Sequence, residues 1–149
     1  MSVPTFRVGV VVERRVSKSP WADWSWRIVA VVPEAPGTED GTVLGGDGEA
    51  SLIYVGAGAV EFHRVETSNY RDNLVTGTPA LWVTLQTGDY PSGIRLLSVT
   101  ADPAEGEMMT EAGDLLVDTV TMPAEMADAL AAFVKEHHVE RVFQKRKRV

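Results

Sequence analysis

Three tryptophans, Trp21, Trp24 and Trp26, fall within six residues of a chain that holds only four, with Lys18 before them and Arg27 after. Neighbouring indoles can stack on a purine, a guanine nucleotide or a partner's side chain when a cation lies alongside. The same rings can instead plug one end of a sheet core, each burying about 150–250 Å². Spacing alone leaves both roles open. A second cluster, Lys145-Arg146-Lys147-Arg148, is an electrostatic hook for phosphate, an acidic protein surface or a headgroup. Four contacts to nucleic acid would give a modest salt slope of about −3 to −4. Folding back on acidic residues of the same chain would gain only ~0–1 kcal/mol per exposed pair.

The histidines are His63, His137 and His138, and Glu66 and Glu140 each stand three positions after one of them. Imidazoles and carboxylates can hold zinc or iron. His63 and Glu66, however, belong to an expected strand, where positions three apart face opposite sides. His137 and His138 are helix neighbours about 100° apart around the axis. Neither spacing makes a ligand pair, so no metal site is assigned, and His137 and His138 are expected to cap a helix end. Glu13, Glu61 and Glu66 could serve as acid or base, but Arg14, Arg64 and Arg71 stand ready to pair with them in surface networks.

The usual catalytic signatures are missing. Gly45-Gly46-Asp47-Gly48 lacks the Lys and Ser/Thr of a phosphate loop, and Gly56-x-Gly58 lacks the third glycine of a dinucleotide fingerprint. No Gly-x-Ser-x-Gly elbow occurs. With no cysteine there is neither thiolate nucleophile nor disulfide. No catalytic residue and no cofactor is therefore assigned.

A length of 149 residues fits one domain, with 44% hydrophobic and 23% charged residues in the ordinary globular range. The longest apolar runs are strand length, far below the ~20 residues of a membrane helix. No signal peptide is visible at the amino terminus, so a cytoplasmic home is expected. Setting aside the four cations of 145–148 from a net charge of −7 leaves −11 for the body. No Lys or Arg lies between Arg95 and Lys135, where eight acidic residues fall. Such a body repels nucleic acid, and any polyanion has to be gripped locally.

Period-two patterning dominates the first two-thirds of the chain. Phe6, Val8, Val10 and Val12 form one face of a first strand; Trp24, Trp26, Ile28, Ala30 and Val32 form one face of a second. Val29 and Val31 on the opposite face place the second strand inside the sheet. Ser51–Val55 and Ala59–Val65 are expected as a hairpin about Gly56-Ala57-Gly58. Residues 33–48, rich in Pro, Gly and acids, read as a mobile surface loop. Strands follow at Ala80–Leu85 and Ile94–Thr100, joined across Thr87–Gly93. Asp102-Pro103-Ala104-Glu105 caps a short helix, and Gly113 suits a left-handed exit. After a strand at Asp114–Thr121, Met122-Pro123 opens a helix to about His137 whose stripe is Met126, Leu130, Phe133, Val134 and His137. The expected fold is α+β: an antiparallel, strongly bent sheet or open barrel, a short helix and a longer C-terminal helix, in one domain over 1–144 with a basic tail at 145–149.

The run Val-Glu-Arg-Arg, Pro20-Trp21, Trp26-Arg27 and Val29-Ala30-Val31-Val32-Pro33 resembles the start of a bacterial family, domain of unknown function 3305. Agreement continues at Phe62-His63-Arg64-Val65-Glu66-Thr67, Tyr70-Arg71-x-Asn73-Leu74 and Met122-Pro123. It is best at Phe133-Val134, His137-His138-Val139-Glu140, Phe143 and Lys145–Arg148. Glu34–Glu49 and Gln86–Gly93 depart from the pattern, and nothing is carried over there. Members are often encoded beside formate dehydrogenase genes, which implies a molybdoenzyme neighbourhood. Some are labelled molybdenum-cofactor nucleotide-attachment proteins, a chemistry whose phosphate loop and metal-holding carboxylates have no counterpart in this chain.

Together these features point to a non-catalytic accessory protein acting by protein–protein contact, with a molybdoenzyme such as formate dehydrogenase as the partner implied by the resemblance. The contact residues would be Trp21, Trp24, Trp26, Arg27, His137, His138, Phe143, Lys145, Arg146, Lys147 and Arg148. The alternative is a binding module for a nucleotide-bearing molybdenum cofactor.

Overall fold

The computed structural model describes residues 3–21 and 24–146, the last eight of these by backbone alone. Among the described residues seven strands form two antiparallel sheets. The first contains β1 (Thr5–Val16), β2 (Trp24–Pro33), β3 (Thr42–Gly46) and β4 (Ala50–Glu61) in the order β2-β1-β4-β3. The second contains β5 (Ala80–Thr87), β6 (Ile94–Thr100) and β7 (Leu115–Thr121) in the order β6-β5-β7. The α-helices α1 (Thr67–Val75), α2 (Pro103–Thr110) and α3 (Ala124–Arg146), with a 3-10 turn at Arg64–Glu66, complete an α+β fold among the described residues. β4 lies beside β6 and β2 beside β7, so two curled sheets face each other without closing into a barrel.

The bend has a local origin. Register slips between Val10 and Val11 where β1 meets β4, and between Val11 and Val12 where it meets β2. The extra residues are Val29 of β2 and Val55 of β4, so both neighbours of β1 bulge at one level and bend there. Val8 to Val12 of β1 are buried without a break. Val8, Val10 and Val12 enter the core, while Gly9 lies under the ring of Tyr54, where a Cβ would overlap it. The main core joins these valines to Ile53, Val55 and Val60 of β4, Leu81, Val83 and Leu85 of β5, and the α3 stripe.

Several expectations are corrected. β4 is one continuous strand, because Ala57 and Gly58 stay paired with Gly9 and Val8, and Gly56 at φ +144° bends the strand instead of reversing it. β2 is an edge strand, and Val29 is the residue skipped at the bulge. The skip flips the alternation, so Val31 packs on the core in place of the face expected for Ala30 and Val32. The segment 33–48 is no free loop. It contributes β3, and Tyr54 anchors it, its hydroxyl accepting from the Ala35 N–H at 3.2 Å and its carbonyl from the Gly41 N–H at 2.8 Å.

Asp102 caps α2 as expected, accepting from the N–H groups of Ala104 (2.9 Å) and Glu105 (3.4 Å). Its own N–H donates to Thr100 Oγ1 instead of to Glu105. Gly113 has no positive φ, since α2 closes at Glu111 before reaching it. The stripe Met126, Leu130, Phe133 and Val134 is buried as expected, with His137 half-buried. α3 continues past His137 to Arg146, because Glu140, Arg141, Gln144 and Lys145 are good helix formers and no Gly or Pro intervenes.

The helix α1 carried too thin a pattern to be read, with Tyr70 and Leu74 its main core-facing apolar residues. It is held by a polar latch. The buried Asn73 side chain donates to the carbonyls of Ala80 (2.8 Å) and Ala101 (3.0 Å) and accepts from the Ala80 N–H (2.9 Å). Asn73→Ala leaves those buried backbone groups unmet, at about 1–3 kcal/mol for each one unsatisfied. The expected total for the three groups is about 3 kcal/mol or more, read as a lowered urea midpoint at unchanged slope.

Candidate binding surfaces

The tryptophans do not act as one unit. Trp21, in the turn before β2, is 91% exposed. Trp24, first residue of β2, is 38% exposed, and the guanidinium of Arg14 lies 4.2 Å from its ring centre. Trp26 is half-buried beside Gly93, Leu115 and Leu116, and lines a hollow of about 390 Å³. Trp26 is thus core plug, Trp21 and Trp24 open surface.

The cation beside the rings is Arg14, not Arg27. Arg14 faces Trp26 across the β1–β2 ladder and reaches diagonally over Trp24. Its Nη1 donates to the Ser92 carbonyl at 3.2 Å, and among the described residues its buried Nε has no hydrogen-bond partner. Arg27 pairs with Glu13 at 3.4 Å, and Arg15 pairs with the same carboxylate at 2.8 Å. Hydrogen bonds from Arg15 first, then Arg27, hold the Glu13 carboxyl below its ordinary range. The acid residue expected beside Arg14 therefore belongs to a different pair of arginines.

A second region forms where the resemblance-bearing segments 62–67, 70–74 and 133–138 converge. Phe62 lies 5.2 Å from Phe6, 5.9 Å from Tyr70 and 5.6 Å from Phe133, between ring centres. His137 lies with its ring centre 4.5 Å from that of Phe133, tilted by 55°, and lines a cavity of about 550 Å³, with Glu136 3.7 Å from its Nε2. His63 and Arg64 border the same cavity. His138 turns toward α1, its Nδ1 3.4 Å from Thr67 Oγ1 and its Nε2 3.4 Å from Arg71 Nη1. The two histidines diverge as their helical spacing requires, and tie α3 down instead of capping its end.

Phe143, Lys145 and Arg146 fall on the backbone of the last turns of α3, while Lys147 and Arg148 lie outside the described residues. Among the described residues no group of three or more His, Cys, Asp or Glu is placed to hold a metal, and no helix is long and apolar enough to cross a membrane. The cavity and Arg14 were both missed in the sequence. The only available signal was that β1 and β2 should pair, which would have set Arg14 among the tryptophans.

The two regions are independent. Trp24 pairs with Val16 at the end of β1, whereas the cavity borders Val3 and Pro4 before its start. A 12-residue strand spans roughly 35–40 Å between them.

Tyr70 backs two of the cavity-lining rings, 5.9 Å from Phe62 and 6.2 Å from Phe133 between ring centres. Its hydroxyl accepts from the His63 N–H at 2.9 Å and contacts the Glu61 carbonyl at 3.4 Å. Burial above all pushes the phenol above its ordinary value. The folded form thus resists ionisation, so this stability is full below about pH 10 and is lost as pH rises further. Tyr70→Phe should cost about 1–2 kcal/mol at neutral pH and should flatten that alkaline loss, both visible in thermal melts between pH 7 and 11.

No curated protein and no solved structure matches the chain. A family model described as "Protein of unknown function (DUF3305)" matches residues 7–147, nearly the whole length. The chain belongs to that family.

Proposed function

We propose that the protein is a non-catalytic accessory protein that acts by protein–protein contact, docking through the edge formed by Trp21 and Trp24. The observation that carries this reading is the 91% exposure of Trp21. A tryptophan can bury about 150–250 Å², and leaving one in water forgoes that gain unless another surface covers it. Val16, opposite Trp24 and 54% exposed, extends the apolar patch. Tryptophan and arginine are also the residue types that dominate interface energetics.

The family resemblance supports a molybdoenzyme, formate dehydrogenase first, as the partner, and a cytoplasmic location accompanies it. The cations at Lys145–Arg148 would speed encounter more than they set affinity. Arg14 beside Trp24 also suits a stacking platform for the base of a nucleotide-bearing molybdenum cofactor. Tryptophan fluorescence separates that reading, since a stacked base quenches it and a protein dock leaves nucleotides without effect.

Affinity capture with tagged protein from cells grown on formate and molybdate provides the direct test. The wild type should retain a formate dehydrogenase subunit, and the double variant Trp21→Ala/Trp24→Ala should weaken capture by about 30-fold or more, as expected for loss of a hot spot. Equal capture by the double variant sinks the docking edge, and a clean wild-type bait sinks the accessory reading. Deleting Lys145–Arg148 should slow association at low salt and leave the thermal midpoint unchanged.

A further inference from the structure

We infer that the cavity between His63, Arg64 and α3 is a binding site for a small aromatic carboxylate, a one- or two-ring acid. This goes beyond the partner-docking role and uses none of the residues assigned to the Trp21–Trp24 edge. The volume, about 550 Å³, lies in the range of about 300–1,000 Å³ typical of small-molecule sites.

The wall chemistry selects an aromatic body. Phe133 and His137 line the cavity with rings inclined at 55° to each other, and Phe62, 2% exposed, backs them at 55° to Phe133. A planar ring entering such a corner can meet one wall edge-on and another in offset contact, the arrangements that aromatic pairs prefer. Pro4 and Val3 add further apolar lining. An aliphatic chain would fill the volume but would not use these geometries.

The mouth selects an acid. Arg64 is exposed and makes no ion pair among the described side chains. Its planar fork of N–H donors fits a carboxylate with two parallel hydrogen bonds. His63 stands beside it, its backbone fixed by the Tyr70 hydroxyl, so the two side chains leave the wall from a rigid point. Among the described residues, Glu136 is the one carboxylate lining the cavity, and it lies 3.7 Å from His137 Nε2. Glu136 lies against His137 and not against Arg64, so among the described side chains the Arg64 guanidinium remains available to grip an anion locally on a chain whose net charge is −7.

The test uses 2-naphthoate as the acid and 2-methylnaphthalene as its neutral counterpart, followed by amide chemical shifts of the full-length protein. The expected result is saturable one-to-one binding of 2-naphthoate, with shifts centred on residues 62–65 and 133–137. The neutral compound should bind at least 10-fold more weakly. Arg64→Ala should weaken the acid by 10-fold or more and Arg64→Glu should abolish binding. Both variants should melt with the wild type, because Arg64 is exposed and carries no fold contact among the described side chains. Absence of saturable shifts, shifts centred elsewhere, or equal binding of the acid by wild type and Arg64→Ala overturns the site. Equal binding of the neutral compound overturns the acid recognition that defines it.

Discussion

The ring of Phe62 is the contact on which most of this architecture turns. It follows β4 directly, and its N–H donates to the Pro4 carbonyl at 3.0 Å, pinning the start of β1 to the end of β4. Its face and edges then meet Phe6, Tyr70 and Phe133, so a single side chain joins the first sheet to α1 and α3. Each aromatic pair contributes about 0.5–1.5 kcal/mol beyond the area it buries. Three pairs on one residue therefore amount to a sizeable fraction of a domain's net stability of about 5–15 kcal/mol. The same cluster that closes the core supplies the walls of the cavity. Stability and binding surface are thus built from one set of rings, and the cavity inherits the rigidity of the core behind it.

Polar fastening complements this apolar joint. Asn73 binds α1 to the start of β5 and the end of β6, and His138 bridges α3 to Thr67 and Arg71 of α1. On the far side, Trp82 packs against α2 where Gly106 leaves no side chain, a close approach that any Cβ would block. The helices are therefore held at defined distances from the second sheet, by hydrogen bonds on one side and by a missing side chain on the other. At the opposite end of β1 no comparable closure exists among the described residues. There Trp21 and Trp24 stay open to solvent, and Arg14 is drawn inward by the Ser92 carbonyl and the indole face. Among the described residues the fold is closed at one end and open at the other, which is the contrast on which the proposed docking edge rests.

The sequence was most readable where one element reports on itself. The stripe of α3, the Asp102 cap, the strands β5, β6 and β7 and the α+β class all follow from period and capping chemistry that need no partner. Reading failed where an element depends on a neighbour. α1 has so few apolar residues that its helical period is hidden, and it exists because Asn73 and Tyr70 find partners 7 or more residues away. β4 looks like a hairpin because Gly56-Ala57-Gly58 is turn-like, yet β1 runs alongside and offers every residue but one a continuous ladder. The α3 extension to Arg146 was hidden by the histidines and the basic run, which suggested an end although no residue there forbids a helix.

By itself, then, the chain's order of residue types determined the fold class, the family, the acidic body with its basic end, and the absence of standard phosphate, dinucleotide and serine-nucleophile motifs. Only tertiary structure decided which cation meets which ring, and that Trp21 and Trp24 are open while Trp26 is enclosed. It alone brought His63 and Arg64 to the same cavity as Phe133 and His137, from segments 70 residues apart. The physical reason is that periodicity encodes which face of an element is apolar, whereas register and bulges encode which residues stand opposite. The paired bulges at Val10 to Val12 shift that register by one residue, and a one-residue shift carries every later side chain to the other face.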